Sequence, residues 1–272
     1  MMLILLTMGC ANDAIEACEG FDAAQPVGSV SIDALTEASG LVASAQHPGV
    51  LWTHNDSGDT ARLFAIDESG AAVGSLTLAG AIPEDWEDIA RSGNTLYVGD
   101  IGDNDQSRAA IAIWEVPEPT TLDGDGSAGA RRISLSYPDG AHDAEALIHH
   151  DGSLWVITKD ADGAAVYRAS DPSADSQALS LETVLLLPDA AGSLPEVTAA
   201  DTSPDGSSLF IRTEAAVLVY NLARGLPEAL SGTPCVAPAP DADDGESIAA
   251  TGRGYAALSE GANPTLWLAE SS

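Results

Sequence analysis

The chain has 272 residues, 45% of them hydrophobic, and carries 42 acidic against 10 basic side chains for a formal charge of −32. The apolar fraction is enough for a buried core, so disorder is not the default reading. With so few basic residues there is no footprint to displace counterions, so nucleic acid and anionic membranes are excluded as partners, and divalent cations, cationic ligands or plain solubility are favoured.

Residues 1–25 form a leader and an arm. The opening run MMLILLTMGC is far shorter than the roughly 18–20 apolar residues needed to span a bilayer. It reads as an export signal without the usual basic start. Its Gly9-Cys10 end resembles the lipobox of bacterial lipoproteins, with Thr7 where leucine is usual, and makes Cys10 the expected lipidation site. The expected location is therefore outside the cytoplasm, as a periplasmic or cell-surface lipoprotein or otherwise secreted. Any membrane contact would be through the lipid anchor alone. Cys18 and Cys235 belong to no C-x-x-C motif, and in an oxidising compartment this even pair predicts a disulfide joining the arm to the fourth repeat.

From residue 26 onward one layout recurs five times. Units open at EASGL from Glu37, EDIA from Glu87, EALI from Glu145, VTAA from Val197 and ESIA from Glu246. Second strands follow as LWTHND from Leu51, LYVGDI from Leu96, LWVITK from Leu154, LFIRTE from Leu209 and YAALSE from Tyr255. Third strands each carry one aromatic, namely Phe64, Trp114, Tyr167, Tyr220 and Trp267, as expected for packing between units. Outer strands are predicted at 72–78, 133–137, 183–187 and 234–237. The fifth unit stops after three strands, whereas residues 27–32 alternate like a strand with no unit of its own. Four-stranded units of about 40–50 residues are the signature of propeller blades. The expected fold is all-β: a five-bladed propeller over residues 26–272, its last blade completed by the N-terminal strand, with six blades as the alternative. The polar stretches 123–127 and 241–245 resemble fragments of calcium loops but lack the closing glutamate, and are read as turns.

In a blade the first strand lines the channel and the second returns beside it, so the start of one meets the end of the other at one mouth. That places Glu37 with Asn55 and Asp56, and Glu87 with Asp100, Asp103 and Asn104 just beyond. It also places Glu145 with Lys159, and Glu246 with Glu260; Arg212 ends its own strand. Convergent oxygen ligands suit Ca²⁺, which takes about six to eight of them, and Glu87, Asp100 and Asp103 are the expected metal ligands. Crowded carboxylates otherwise raise each other's pKa unless a metal or the cations Lys159 and Arg212 intervene. His54 and the pair His149-His150 are read as packed or solvent-facing. No G-x-S-x-G, H-E-x-x-H or P-loop motif occurs, so serine-hydrolase, zincin and nucleotide-binding chemistry lack support.

The strings EASGL, LWTHNDSGD, DWEDIA, LYVGDIGDN, DAEALI, LWVITK and SPDGSSLFIRT together resemble secreted bacterial propellers related to the SdiA-regulated and phytase/esterase-like groups. The resemblance covers residues 37–260 and implies a propeller fold and an exported protein, without fixing a reaction. The functional expectation is a binding or scaffold module with a calcium or small-ligand site at the channel mouth. The alternative is a calcium-assisted phosphoesterase or lactone/ester hydrolase.

Overall fold

The computed structural model describes residues 15–160, 163–185, 196–214, 216–241 and 245–271. Cys10 and the leader lie outside them. The strands form five antiparallel blades in a ring, a five-bladed β-propeller. Blade 1 runs through Ala38–Ala43, Val50–Asn55, Arg62–Asp67 and Ala72–Ala79. Blade 2 comprises Trp86–Ser92, Thr95–Asp100, Ile111–Pro117 and Arg131–Ser136. Blade 3 comprises Ala144–His150, Ser153–Thr158, Ala164–Ala169 and Ser180–Leu185. Blade 4 has Val197–Thr202, Ser208–Thr213, Val217–Asn221 and Cys235–Ala237. Blade 5 has Ala249–Thr251, Gly254–Leu258 and Thr265–Glu270, and takes Gln25–Ser29 as its outer strand. The chain thus closes its own ring, and the edge of the last blade is paired.

Alternating apolar residues on each strand face the two neighbouring blades, and the core is accordingly divided into five clusters, one per junction. Phe64, Trp114, Tyr167 and Tyr220 each sit in one of them, as expected. Trp267 is only half-buried.

The outer edges are covered by a device absent from the sequence expectations. The segment before each outer strand reaches back over the previous blade. Gly124–Gly129 pairs in parallel with the outer strand of blade 1, and Ser176–Ala178 with that of blade 2. The short helix Leu226–Leu230 packs Leu226, Ala229 and Leu230 against Leu185 of blade 3. In blade 5 the arm does the same to blade 4: Cys18 N–H donates to Val236 O at 2.8 Å, Val236 N–H to Glu16 O at 2.9 Å, and Cys18 is disulfide-bonded to Cys235. The stretch 123–127, read as a turn, is therefore largely an edge strand. Blade 1 approaches the closing strand so tightly that a Cβ on Gly28 would meet Ser69 O at 1.9 Å. Gly28→Ala is expected to lower stability by about 2 kcal/mol through overpacking, read as a lower urea midpoint with an unchanged slope.

Side chains near the channel axis tie the blades to one another. Asp88 is fully buried and accepts from its neighbour Ile89 N–H (2.8 Å), from Leu147 N–H of blade 3 (2.9 Å) and from Ala200 N–H of blade 4 (3.3 Å). Asp201 accepts from Thr202 N–H and from Ala250 N–H of blade 5. Ser39 Oγ donates to Glu87 O, and Thr198 Oγ1 to Gly245 O. None of the described helices is long and apolar enough to cross a membrane.

Candidate functional site: an acidic channel mouth

The innermost strands of blades 2, 3 and 4 begin with a β-bulge. In blade 2, Trp86 pairs with Asp100 and Asp88 with Gly99, leaving Glu87 as the extra residue. Glu145 and Thr198 hold the same place in blades 3 and 4. A bulge re-aims the side chain it carries, and both glutamates lie in one carboxylate cluster at this mouth. Two residues earlier, Asp85 and Asp143 join the same cluster. One set of oxygens within 4.8 Å comes from Asp56, Asp85 and Glu87, and a second from Glu87, Asp143 and Glu145. Glu87 is common to both, so five carboxyls from three neighbouring blades form one group. Such an acidic group can hold a metal ion.

Burial without an equal number of cations sets the electrostatics. Glu87 is 6% exposed; its burial and the facing Glu145, Asp56 and Asp85 push its carboxyl well above the carboxylate range. Glu145 is also raised by burial, against the pull of Lys159, whose Nζ lies 2.7 Å from Glu145 Oε1. The Lys159 ammonium is itself held protonated by that glutamate, against its own desolvation. Asp56 is pushed up to about 7 by burial, then by Asp85, Glu145 and Glu37. Its carboxyl hydrogen-bonds Asp85, while its Oδ1 is sealed from solvent with no partner among the described residues. Burial and Glu145 likewise bring Glu246 to about 7.

These shifts predict a pH dependence. Asp56 and Glu246 start from 3.8 and 4.5 and reach about 7 in the fold, so between those values the folded state binds more protons than the unfolded state. Their contribution to stability is full below the lower values and is lost as pH rises through 7. The melting temperature of metal-free protein is expected to fall between about pH 5 and 8, measured in chelator. A rise across that window would contradict the assignment.

The other expected site residues are placed differently. Glu37 stands level with Asp143, not with Glu87 and Glu145: Glu37 O accepts from Asp56 N–H as Asp143 O accepts from Lys159 N–H. Its side chain is exposed and acts on the Asp56 carboxyl by charge. Asn55 builds the turn, accepting from Thr36 and Glu37 N–H and donating to Ala34 O and Asp59. Asp100 and Asp103, expected as ligands beside Glu87, lie outside both carboxylate sets. Arg108 Nη2 donates to Asp100 Oδ1 at 2.8 Å and Trp114 Nε1 donates to its Oδ2, while Asp103 accepts from the N–H groups of Ser107 and Arg108. Asn104 and Glu260 are exposed. Arg212 is 2% exposed beneath Gly245, with Nε and Nη1 unpartnered among the described residues. His54 is a packed histidine, edge-on to Trp86 and brought down to about 4 by burial, so it is neutral.

Two members of the cluster, Asp85 and Asp143, were not singled out from sequence. Their signal is the repeated D-x-E of Asp85-Trp86-Glu87 and Asp143-Ala144-Glu145, which sets two acids at the entry of an innermost strand.

No family model matches the chain, and no curated protein matches it in sequence. Solved structures do match in fold. The chain is similar to the glutaminyl cyclase of Myxococcus xanthus, with a TM-score of 0.53 and 14% identity over 92% of this chain and 97% of that one. It is also similar to a PQQ-bound aldose sugar dehydrogenase from Streptomyces coelicolor, with a TM-score of 0.52 and 11% identity over 95% and 100% of the two chains. At such identities the likeness establishes the propeller fold and no activity.

Proposed function

We propose that this protein is an exported binding module that holds a hard divalent cation, calcium, at the channel mouth. The observation that carries the reading is Glu87, a buried carboxyl shared by two sets of acidic oxygens and given no cationic partner of its own among the described residues. The two sets share Glu87, and each brings three carboxyls toward the six to eight oxygens, at about 2.3–2.6 Å, that Ca²⁺ requires. Magnesium keeps its waters and demands a stricter octahedron, so it fits a flexible, carboxylate-rich mouth less well. A bound cation would also relieve the repulsion that now leaves protons on the cluster. Export is supported by the Cys18–Cys235 disulfide, which suits an oxidising compartment, and by the motif resemblance to secreted propellers.

Calorimetric titration of metal-stripped protein with Ca²⁺ tests the reading. Saturable binding is expected, weakened about a hundredfold or more by Glu87→Gln. Asp100→Asn, outside the cluster, should leave the affinity within a few-fold. Absence of saturable binding in folded wild-type protein would refute the proposal.

A second reading, calcium-assisted hydrolysis of a phosphate or lactone ester, is favoured by one feature. Asp56 is half-buried and brought to about 7, the range wanted of a general base at neutral pH. Turnover of such esters, dependent on both Ca²⁺ and Asp56, would promote this reading over passive binding.

A further inference from the structure

The opposite mouth carries a second polar cavity, which the metal site does not use. It measures about 290 Å³ and is lined by the inner hairpins of blades 2, 3 and 4 together with Val42 of blade 1. Arg91, His149 and His150 converge on it, in a chain with only 10 lysines and arginines and 5 histidines. The pair His149-His150 is therefore not simply solvent-facing.

Two of these side chains are fixed in advance. Arg91 donates from Nε to Ala43 O at 2.8 Å and from Nη1 to Gly93 O at 3.2 Å, which leaves Nη2 without an acceptor among the described residues. The ring of His149 stacks on Tyr97 with centroids 5.7 Å apart. Asp201 and Asp205 line the cavity from blade 4. Backbone donors hold Asp201, and Ser203 and Ser207 hold Asp205. The Arg91 guanidinium of blade 2 and the Asp205 carboxylate of blade 4 thus enter from different blades, each already oriented, which lowers the ordering cost of binding; burial holds the His149 ring below the ordinary imidazole range and lifts the Asp201 carboxyl to about 7.

We infer that this cavity binds a small zwitterion, with a carboxylate directed to Arg91 and the histidines and an ammonium directed to Asp205. The volume lies at the lower end for small-ligand pockets, which begin at about 300 Å³, and so limits the occupant to roughly the size of a free amino acid. A simple anion is opposed by Asp205 and by the net charge of the chain. A simple cation is opposed by Arg91. The Arg91 charge already acts on Asp201, and a ligand carrying both charges complements Arg91 and Asp205 together.

The test is calorimetric titration of the full chain with L-serine, using propionate and ethylammonium as controls that each lack one charge. Saturable serine binding is expected, with neither control competing. Arg91→Gln should weaken it about tenfold or more, the effect of losing one charge-assisted contact. His150→Ala should also weaken it. Calcium binding at the acidic mouth should be unchanged in both variants. Arg91→Gln gives up two backbone ties; should it fail to fold, His150→Ala decides, because the His150 side chain makes no hydrogen bond among the described residues. Absent serine binding, equally tight propionate binding, or unchanged affinity in His150→Ala would overturn the inference.

Discussion

Replacing Asp88 by alanine is expected to destabilise the propeller by about 4 kcal/mol and to lower its melting temperature by roughly 10 °C. The side chain is fully buried and takes backbone N–H groups from three innermost strands. Alanine leaves those donors orphaned next to the channel axis, at about 1–3 kcal/mol for each sealed from water. Asp88→Asn should cost much less. The amide oxygen still accepts, and a neutral group suits a site whose burial drives the carboxyl pKa far up. Chemical denaturation of the two variants reads the difference. A loss below about 1 kcal/mol in Asp88→Ala would show that water replaces the carboxylate and that the axis is not a dry hub.

The second large effect is expected from the clasp. Cys18 and Cys235 are 217 positions apart, so their bond constrains nearly the whole unfolded chain. The chain-entropy model gives about 5 kcal/mol for such a loop, an upper figure where about 2–4 is typical. The bond also holds the arm over the outer edge of blade 4, immediately before the strand that closes blade 5. Cys18→Ser is expected to lower the guanidinium midpoint by the equivalent of about 3 kcal/mol. Reductant should reproduce that shift in the wild type and have no effect on the variant. Equal midpoints with and without reductant would mean that strand pairing alone closes the ring.

The fold was legible because each blade repeats the same demands at the same register. Leu51, Leu96, Leu154 and Leu209 each stand second in a second strand, and Phe64, Trp114, Tyr167 and Tyr220 fill the junctions. The shortfall of one strand at the end and the surplus at the start identified the closure. The edge strands were not legible. Gly124–Gly129, with sequence GDGSAG, has neither apolar alternation nor β-propensity; it is a strand only because an open edge of blade 1 offers it a ladder. The helix Leu226–Leu230 is too short to show a periodicity.

The candidate site was half legible for a similar reason. Glu87 and Glu145 follow from the unit openings and Asp56 from the end of its strand. Asp85 and Asp143 were hidden by aligning one acid per blade, although the bulge brings both acids of each D-x-E into the cluster. Asp100 and Asp103 looked equivalent to ligands in one dimension. Only the fold reveals that the chain after Asp103 turns back and brings Arg108 onto their oxygens.

The central claim is that the acidic mouth exchanges protons for a cation. Its most direct test is Ca²⁺ titration at about pH 6.5 in two buffers of different ionisation enthalpy, which counts the protons released per ion bound. The account predicts release of about one proton or more, since Asp56 and the Glu87–Glu145 pair are held above the ordinary carboxylate range. Release should diminish in Glu87→Gln. Tight calcium binding with no proton release, unaffected by Glu87→Gln, would place the ion elsewhere and contradict the account.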